Sequence, residues 1–526
     1  MRDRGADGLT HPSPGARLAG LNAAAAAYGA FAAALAAALL AAPILGVRGQ
    51  FLALTALVIA YGMFETLRVR HARPSSWLLD PAVLCTLVGF VLGLGLTNLA
   101  YADPDAGLST TPDGLGQLGG PDAAYATMAH VMSIAAIALA ALWIGYRAPI
   151  GTMAARTLHR LLPLRRWLVV PARPRWPLLG ALLAVALVAR LAQVRLGVFG
   201  YSGSSENFVR YASVTSYLAY ASALSLAVLC TGAFAYFNDP DHPRWLPPAL
   251  VVLFVYEVVV SGFLSGFKSS VLVPFVALAG SHYTARGHLR TSHVIGAVLA
   301  LAAAYAVIEP FRIARYANPD FRGSDIFAIA RTMATAREQL AESGGDETSP
   351  ATMYAQQLVQ RSGGLVESAK ALQYLDRAGS LQAVRVIEPD APDIIGRALL
   401  SPAIAFVPRA VWPGKPSGNI GQWVTVYVWD RLQFLSSTGM SPVAAAYLGG
   451  GLSAVIIGFA IVGIVHRTIF ETFAPLRYGG LIVLLGLMPT LAMLPWTFYD
   501  YFPAVLRLTP ILIVGQFVLL QREARR

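Results

Sequence analysis

Charge is scarce in this sequence, and acidic charge scarcest: Asp and Glu together number 28 of 526 residues, Lys and Arg 40, and all four types make up 13% of the chain. A soluble protein of this size needs more charge than that to cover its surface. Cysteine is nearly absent. The two present, Cys85 and Cys230, fall inside apolar runs, with neither metal-ligand spacing nor the loop setting of a disulfide. There is no HExxH, no CxxC, no Walker loop and no GxSxG, which removes the common metalloprotease, redox, nucleotide-phosphate and serine-hydrolase signatures. No metal cluster or cofactor motif is visible. No cleavable signal peptide is evident, because residues 1–20 are polar and the first apolar run is long enough to span and lacks a good cleavage site.

What fills the sequence instead is apolar runs. Hydrophobic residues reach 56% and the mean hydropathy is +0.57. The expectation is an all-α polytopic membrane protein with about twelve spans. By apolar length they fall near 21–42, 50–69, 78–101, 123–146, 177–196, 213–237, 245–266, 269–285, 292–311, 443–466, 478–497 and 502–520. The chain thus divides into an N-terminal membrane bundle (1–311), one large loop (312–442) and a C-terminal membrane bundle (443–526). Within the loop, 324–342 and 351–376 read as helices.

The formal charge of +12 would suggest nucleic acid in a soluble protein. Here membrane orientation explains much of it, and no nucleic-acid partner is expected. Arg2, Arg4 and Arg17, Arg68 to Arg73, Arg147 to Arg175, Arg286 and Arg290, Arg467 and Arg477, and Arg522 to Arg526 all fall on one side of the twelve-span reading. Cations accumulate in cytoplasmic loops. Both termini are therefore expected in the cytoplasm, with the 312–442 loop outside and the lipid bilayer as a partner.

One stretch stands out. Residues 401–423, SPAIAFVPRAVWPGKPSGNIGQW, are too interrupted for a spanning helix, which needs ~20 mostly apolar residues. Trp412 and Trp423 suit the headgroup level, and Pro413 and Pro416 stiffen the backbone around Lys415. Arg409 and Lys415 on such a loop make a plausible clamp for an anionic headgroup. Further ionisable residues inside or beside spans are functional candidates by default: Arg190, Glu257, Lys268, Glu309, Arg312, Arg315 and Arg507. Most gather at the outer leaflet, as a basic cavity opening outward would. A diphosphate suits it best, because arginine forks grip phosphate oxygens in pairs. Plainer readings stand beside these. Arg190 and Glu257 can pair inside the bundle, Arg507 and Lys268 can reach for the interface, and Arg361 can be an exposed helical charge. His130 and His466 are isolated and read as packed or interfacial.

Five stretches together resemble the Wzy-type oligosaccharide-repeat-unit polymerases of the O-antigen polymerase and ligase superfamily. They are SGFLSGFKSS (261–270), FRIARY (311–316), QRSGGLVES (360–368), FVPRAVWPGKP (406–416) and SPVAAAYLGGGLSAVIIGFAIVGIVHR (441–467). The resemblance covers roughly the last half of the chain. It implies a GT-C-like bundle in the bacterial cytoplasmic membrane. It also implies glycosyl transfer on the outer face, from a glycan on polyprenyl diphosphate to a lipid-linked repeat unit, with a chain-length regulator as a further partner. Such a donor already carries a good leaving group, so neither nucleotide nor metal is needed. Arg409, Lys415, Arg312, Arg315, Arg361, Lys268 and Arg507 are then expected to neutralise the diphosphate, strongest where water is excluded. Glu367 or Asp430 would assist the acceptor hydroxyl as base. A ligase of the same superfamily, a lipid-linked oligosaccharide flippase or transporter, and a regulatory membrane subunit are the competing readings.

Overall fold

The computed structural model describes residues 14–102, 118–168, 172–200, 203, 207, 210–286, 288–317, 326–342, 364–378, 412, 440–476, 479–493 and 498–522. The apolar runs all form helices. They are α1 (Pro14–Leu40), α2 (Ala42–Ala72), α3 (Pro81–Cys85), α4 (Pro121–Arg147), α5 (Pro149–Leu161) and α6 (Leu164–Leu168), and then the short strand β1 (Ala172–Pro174). There follow α7 (Trp176–Arg195), α8 (Ala212–Ser222), α9 (Leu224–Asn238), α10 (Leu246–Tyr256), α11 (Lys268–Arg286) and α12 (Thr291–Ala317). The loop contributes α13 (Ile326–Glu342) and α14 (Leu365–Ala378). The chain closes with α15 (Pro442–Phe473), α16 (Gly479–Met493), α17 (Phe498–Leu519) and β2 (Leu520–Arg522). Two of these helices change pitch as they continue: α3 becomes a π-helix over Thr86–Gly95 and a 3₁₀-helix to Ala102, and α10 becomes a π-helix over Glu257–Leu264.

Among the described residues, eight helices are long and apolar enough to cross a membrane. They coincide with eight of the segments expected from apolar length. Of the other four, α1, α16 and α17 carry shorter apolar stretches, Ala26–Leu40, Gly479–Ala492 and Ala504–Leu519. The fourth, α11, carries Lys268, His282 and Arg286 and has Pro274 inside it. The cation-rich connection after α4 is not a plain loop. In α5, Ile150, Met153 and Leu161 are exposed while Arg156 and Arg160 share the helix, the pattern of an amphipathic helix lying on a membrane surface.

The helices form two bundles. In the first, α4 is the hub, lying against α2, α14 and α15. Met128, Met132, Leu142 and Trp143 on it are fully or almost fully buried, and Trp143 Nε1 donates to Thr86 Oγ1 at 3.1 Å. Because lipid is as apolar as leucine, such helices associate by close packing and hydrogen bonds rather than by escape from water. The α4–α15 crossing shows this. A Cβ on Gly145 would overlap the Ala460 carbonyl, and one on Gly463 would overlap the Leu142 carbonyl. The second bundle holds α7 to α13, with small cores around Leu229 and Leu250, around Phe199 and Phe311, and around Val271 and Ile308. The two bundles meet where Tyr283 and Leu289 join the first bundle's core, and where β1 pairs antiparallel with β2.

One end of the first bundle is arginine-rich. Asp80 caps α3, accepting from the Ala82 amide at 3.0 Å. Arg73 donates to Asp80 (3.3 Å), to the Tyr146 hydroxyl (3.2 Å) and to Glu471 (3.4 Å). Arg467 pairs with Glu471 at 2.6 Å, Tyr146 donates to Asp80, and Arg147 pairs with the fully buried Glu65. Burial lowers the proton affinity of the Arg73 guanidinium, but Tyr146, Asp80 and Glu471 together more than restore it, and its pKa lies above the ordinary value. For Asp80 burial prevails, and the carboxyl is raised despite Tyr146 and Arg73.

Candidate functional site

The opposite end of the molecule is capped by the two loop helices. On the first bundle, α14 lies across the starts of α4 and α15. Gly364 precedes it with φ +56°, and a Cβ there would stand 3.1 Å from the Ser441 nitrogen, so only glycine lets the two backbones meet in this way. Ser368 Oγ accepts from the Ser441 amide at 3.0 Å and lies 2.9 Å from Ser441 Oγ. Ser441 in turn caps α15, accepting from the Ala444 amide at 3.2 Å, with Pro442 in the first turn, a strong helix-start pairing. Further along α14, Gln373 donates to the Leu118 carbonyl at 2.9 Å. Two stretches singled out in the sequence, QRSGGLVES and SPVAAAY, therefore touch through Gly364, Ser368 and Ser441.

That contact fixes Glu367, one residue before Ser368. Glu367 is partly buried and lies within electrostatic reach of Tyr101 at the end of the 81–102 segment. The Tyr101 ring is buried, and its hydroxyl has no hydrogen-bond partner among the described residues. His130 and Tyr447 stand nearby along α4 and α15, edge to face at 5.6 Å.

On the second bundle, α13 is the cap. Its Ile329 and Met333 pack with Val194, Phe199 and Phe311. Beneath lies a cavity of about 380 Å³ between α7, α8, the π-helix after α10 and the start of α11. Arg190 enters it from α7. It donates to Gln193 Oε1 at 3.1 Å and to Ser261 Oγ at 3.0 Å, with its guanidinium 5.4 Å from the Phe199 ring centre. Glu257 lines the same cavity and is 4% exposed. The internal Arg190–Glu257 pair allowed by the sequence does not form: no nitrogen–oxygen approach within 4.0 Å joins them, and Arg190 is held by neutral partners instead.

The sequence candidates are distributed as follows. Lys268 opens α11, and Arg312 and Arg315 close the antiparallel α12. Their backbone positions therefore share the cavity end of the second bundle, next to the buried Phe311. Only the helical placement of these three is described. Glu367 and Arg507 belong to the first bundle, Arg507 partly buried on α17. Arg361, Arg409, Lys415 and Asp430 lie outside the described residues, although Trp412, between two of them, is exposed. The described residues hold no group of three or more His, Cys, Asp or Glu side chains placed for a metal. Cys85 and Cys230 are both free. His466 is fully buried in α15, and His130 is exposed.

Sequence reading passed over Glu65, Asp80 and Glu471. A signal existed for Asp80, since Asp-Pro before an apolar run marks a helix start. None existed for Tyr146, its partner from α4, or for Glu471, which meets Arg73 from α15. No family model, no curated protein and no solved structure matches this chain.

Proposed function

We propose that this protein is a bacterial cytoplasmic-membrane glycosyltransferase. It polymerises polyprenyl-diphosphate-linked oligosaccharide repeat units on the extracytoplasmic face, with twelve membrane crossings, both termini inside and residues 312–442 outside. The observation that carries the reading is the docking of α14 on α15 through Gly364, Ser368 and Ser441. It joins two of the stretches that resemble the polymerases and holds Glu367 at the end of the molecule where α12 delivers Arg312 and Arg315. In this reading Arg409, Lys415, Arg312, Arg315, Arg361, Lys268 and Arg507 neutralise charge developing on the departing diphosphate, whose oxygens suit guanidinium forks. Glu367 or Asp430 takes the acceptor hydroxyl's proton.

The test is the glycan profile of a deletion strain complemented with wild type or Arg409→Ala, with membrane insertion of the variant verified. Loss of long chains, with single lipid-linked units accumulating on the outer face, is the expected result. Normal long chains in the variant remove Arg409 from the mechanism. Units retained on the cytoplasmic face replace the polymerase with a flippase, and long glycan that is made but not attached replaces it with a ligase.

A further inference from the structure

The second bundle's cavity has a hydrogen-bonding inventory that selects one kind of ligand. Glu257 Oε1 is buried and has no partner among the described residues, while Arg190 Nε makes no well-aligned hydrogen bond there, although the guanidinium interacts with the Tyr256 hydroxyl. Unsatisfied buried groups of this kind are costly unless something binds them. Around them stand two hydroxyls whose protons are already committed. Ser222 donates to the Ala219 carbonyl at 2.9 Å, and Ser265 to the Ser261 carbonyl at 2.7 Å. Ser261 Oγ accepts from Arg190. The wall therefore offers acceptors at Glu257, Ser222 and Ser265, and donors at Arg190, at Gln193 Nε2 and at the Ser261 hydroxyl. A fully ionised diphosphate brings only acceptors and, whatever donors it met, would face the buried Glu257 carboxylate. An ammonium brings only donors and would face Arg190. A neutral ligand rich in hydroxyls brings both on every oxygen.

Shape agrees with that chemistry. The volume, about 380 Å³, is at the small end of the ~300–1,000 Å³ range of small-molecule pockets. Val273, Pro274, Leu226 and the partly exposed Phe267 add apolar surface to the wall, suited to the C–H faces of a ring. Glu257 begins a π-helical stretch, a local distortion that recurs at functional sites.

We infer that this cavity binds one neutral sugar ring, with Glu257 accepting from and Arg190 donating to its hydroxyls. The inference holds whether or not the chain transfers glycans. A free sugar and the head of a glycolipid share this chemistry, and the cavity lies among membrane-crossing helices, so both sources are tested.

The experiment is saturation-transfer NMR on the full chain in lipid nanodiscs free of sugar detergents. The probes are methyl glucoside, methyl galactoside, a long-chain alkyl glucoside and inorganic diphosphate. Saturation of at least one glycoside's ring protons is expected. Ala219→Phe should abolish it by filling the cavity from a helix face that is otherwise exposed, and Glu257→Leu should weaken it about tenfold or more. Unchanged thermal unfolding of Ala219→Phe shows that the fold persists. Binding of the alkyl glucoside alone supports the site and assigns it to a lipid-borne sugar. Equal glycoside saturation in wild type and Ala219→Phe, or diphosphate binding that Ala219→Phe abolishes, overturns the inference. Because binding alone is read, loss of polymer in Arg409→Ala leaves this result untouched.

Discussion

Arg73 and Glu471 stand 398 residues apart in sequence and 3.4 Å apart in space. Arg73 follows α2 and Glu471 lies in the last turn of α15, so the ion pair ties the two helices that flank α4. The side chains are 28% and 27% exposed, so water screens the pair only partly. A double-mutant cycle with Arg73→Ala and Glu471→Ala, read by unfolding in a bilayer mimetic, should show a coupling of ~0.5–3 kcal/mol. Additive single effects would mean that Arg73 works through Asp80 and Tyr146 alone.

The α4–α15 crossing leaves no room for a methyl group. Gly145→Ala and Gly463→Ala each press a Cβ onto a backbone carbonyl of the other helix, and backbone cannot rotate away as a side chain can. Each substitution should destabilise the protein by ~1–3 kcal/mol. Gly180→Ala on α7, where a Cβ would meet nothing within 4 Å, is the control. It should leave stability unchanged or slightly raised, since alanine is the better helix former. Equal effects at all three positions would remove the crossing as the cause.

The seat of α14 rests on one glycine and two serines. Gly364→Ala imposes a side chain both on a left-handed backbone and on the Ser441 nitrogen. Ser441→Ala removes a helix cap, at a cost of ~0.5–2 kcal/mol. Both variants should speed amide hydrogen exchange in α14 while α4 stays protected. Faster exchange in both helices would instead mean loss of the whole first bundle.

If Glu367 assists the acceptor hydroxyl, Glu367→Gln should lower polymer output by two orders of magnitude or more, the range of general base catalysis at ~10²–10⁴-fold, with α14 still seated by hydrogen exchange. For Arg409 the sharper variant is Arg409→Lys. It keeps the charge but loses the two-pronged guanidinium geometry, so polymer should fall nearly as far as in Arg409→Ala. Full activity in Arg409→Lys would show that a point charge suffices.

The fold was legible where local chemistry dictated it. Apolar runs located the helices, and Ser441-Pro442 and Asp80-Pro81 mark two helix starts that the structure uses. The SGFLSGFKSS stretch places three serines on the cavity wall. The intramembrane cost of charge pointed correctly to Arg190 and Glu257 as residues needing explanation. Of the readings left open, the internal pair does not form, because Gln193 lies three residues along the same helix and binds Arg190 without a carboxylate. Partners contributed by distant helices, such as Glu471 for Arg73 or Ser441 for Ser368, leave no pattern in a single sequence. Nor does a cavity, which exists only between helices and belongs to none of them.

The antiparallel pairing of β1 with β2, Ala172 opposite Arg522, is reinforced by the Arg175 amide bonding the Leu519 carbonyl at 2.8 Å. It welds the last helix of the first bundle to the first helix of the second, close to where Tyr283 and Leu289 also bridge them. A weld at one end turns each bundle into a lever arm. Rocking of one against the other would be restrained there, and a helix as long as α4 reaches roughly 40 Å to the far end. Small angular changes at the strands would thus arrive as displacement at α13, α14 and the mouth of the sugar-sized cavity.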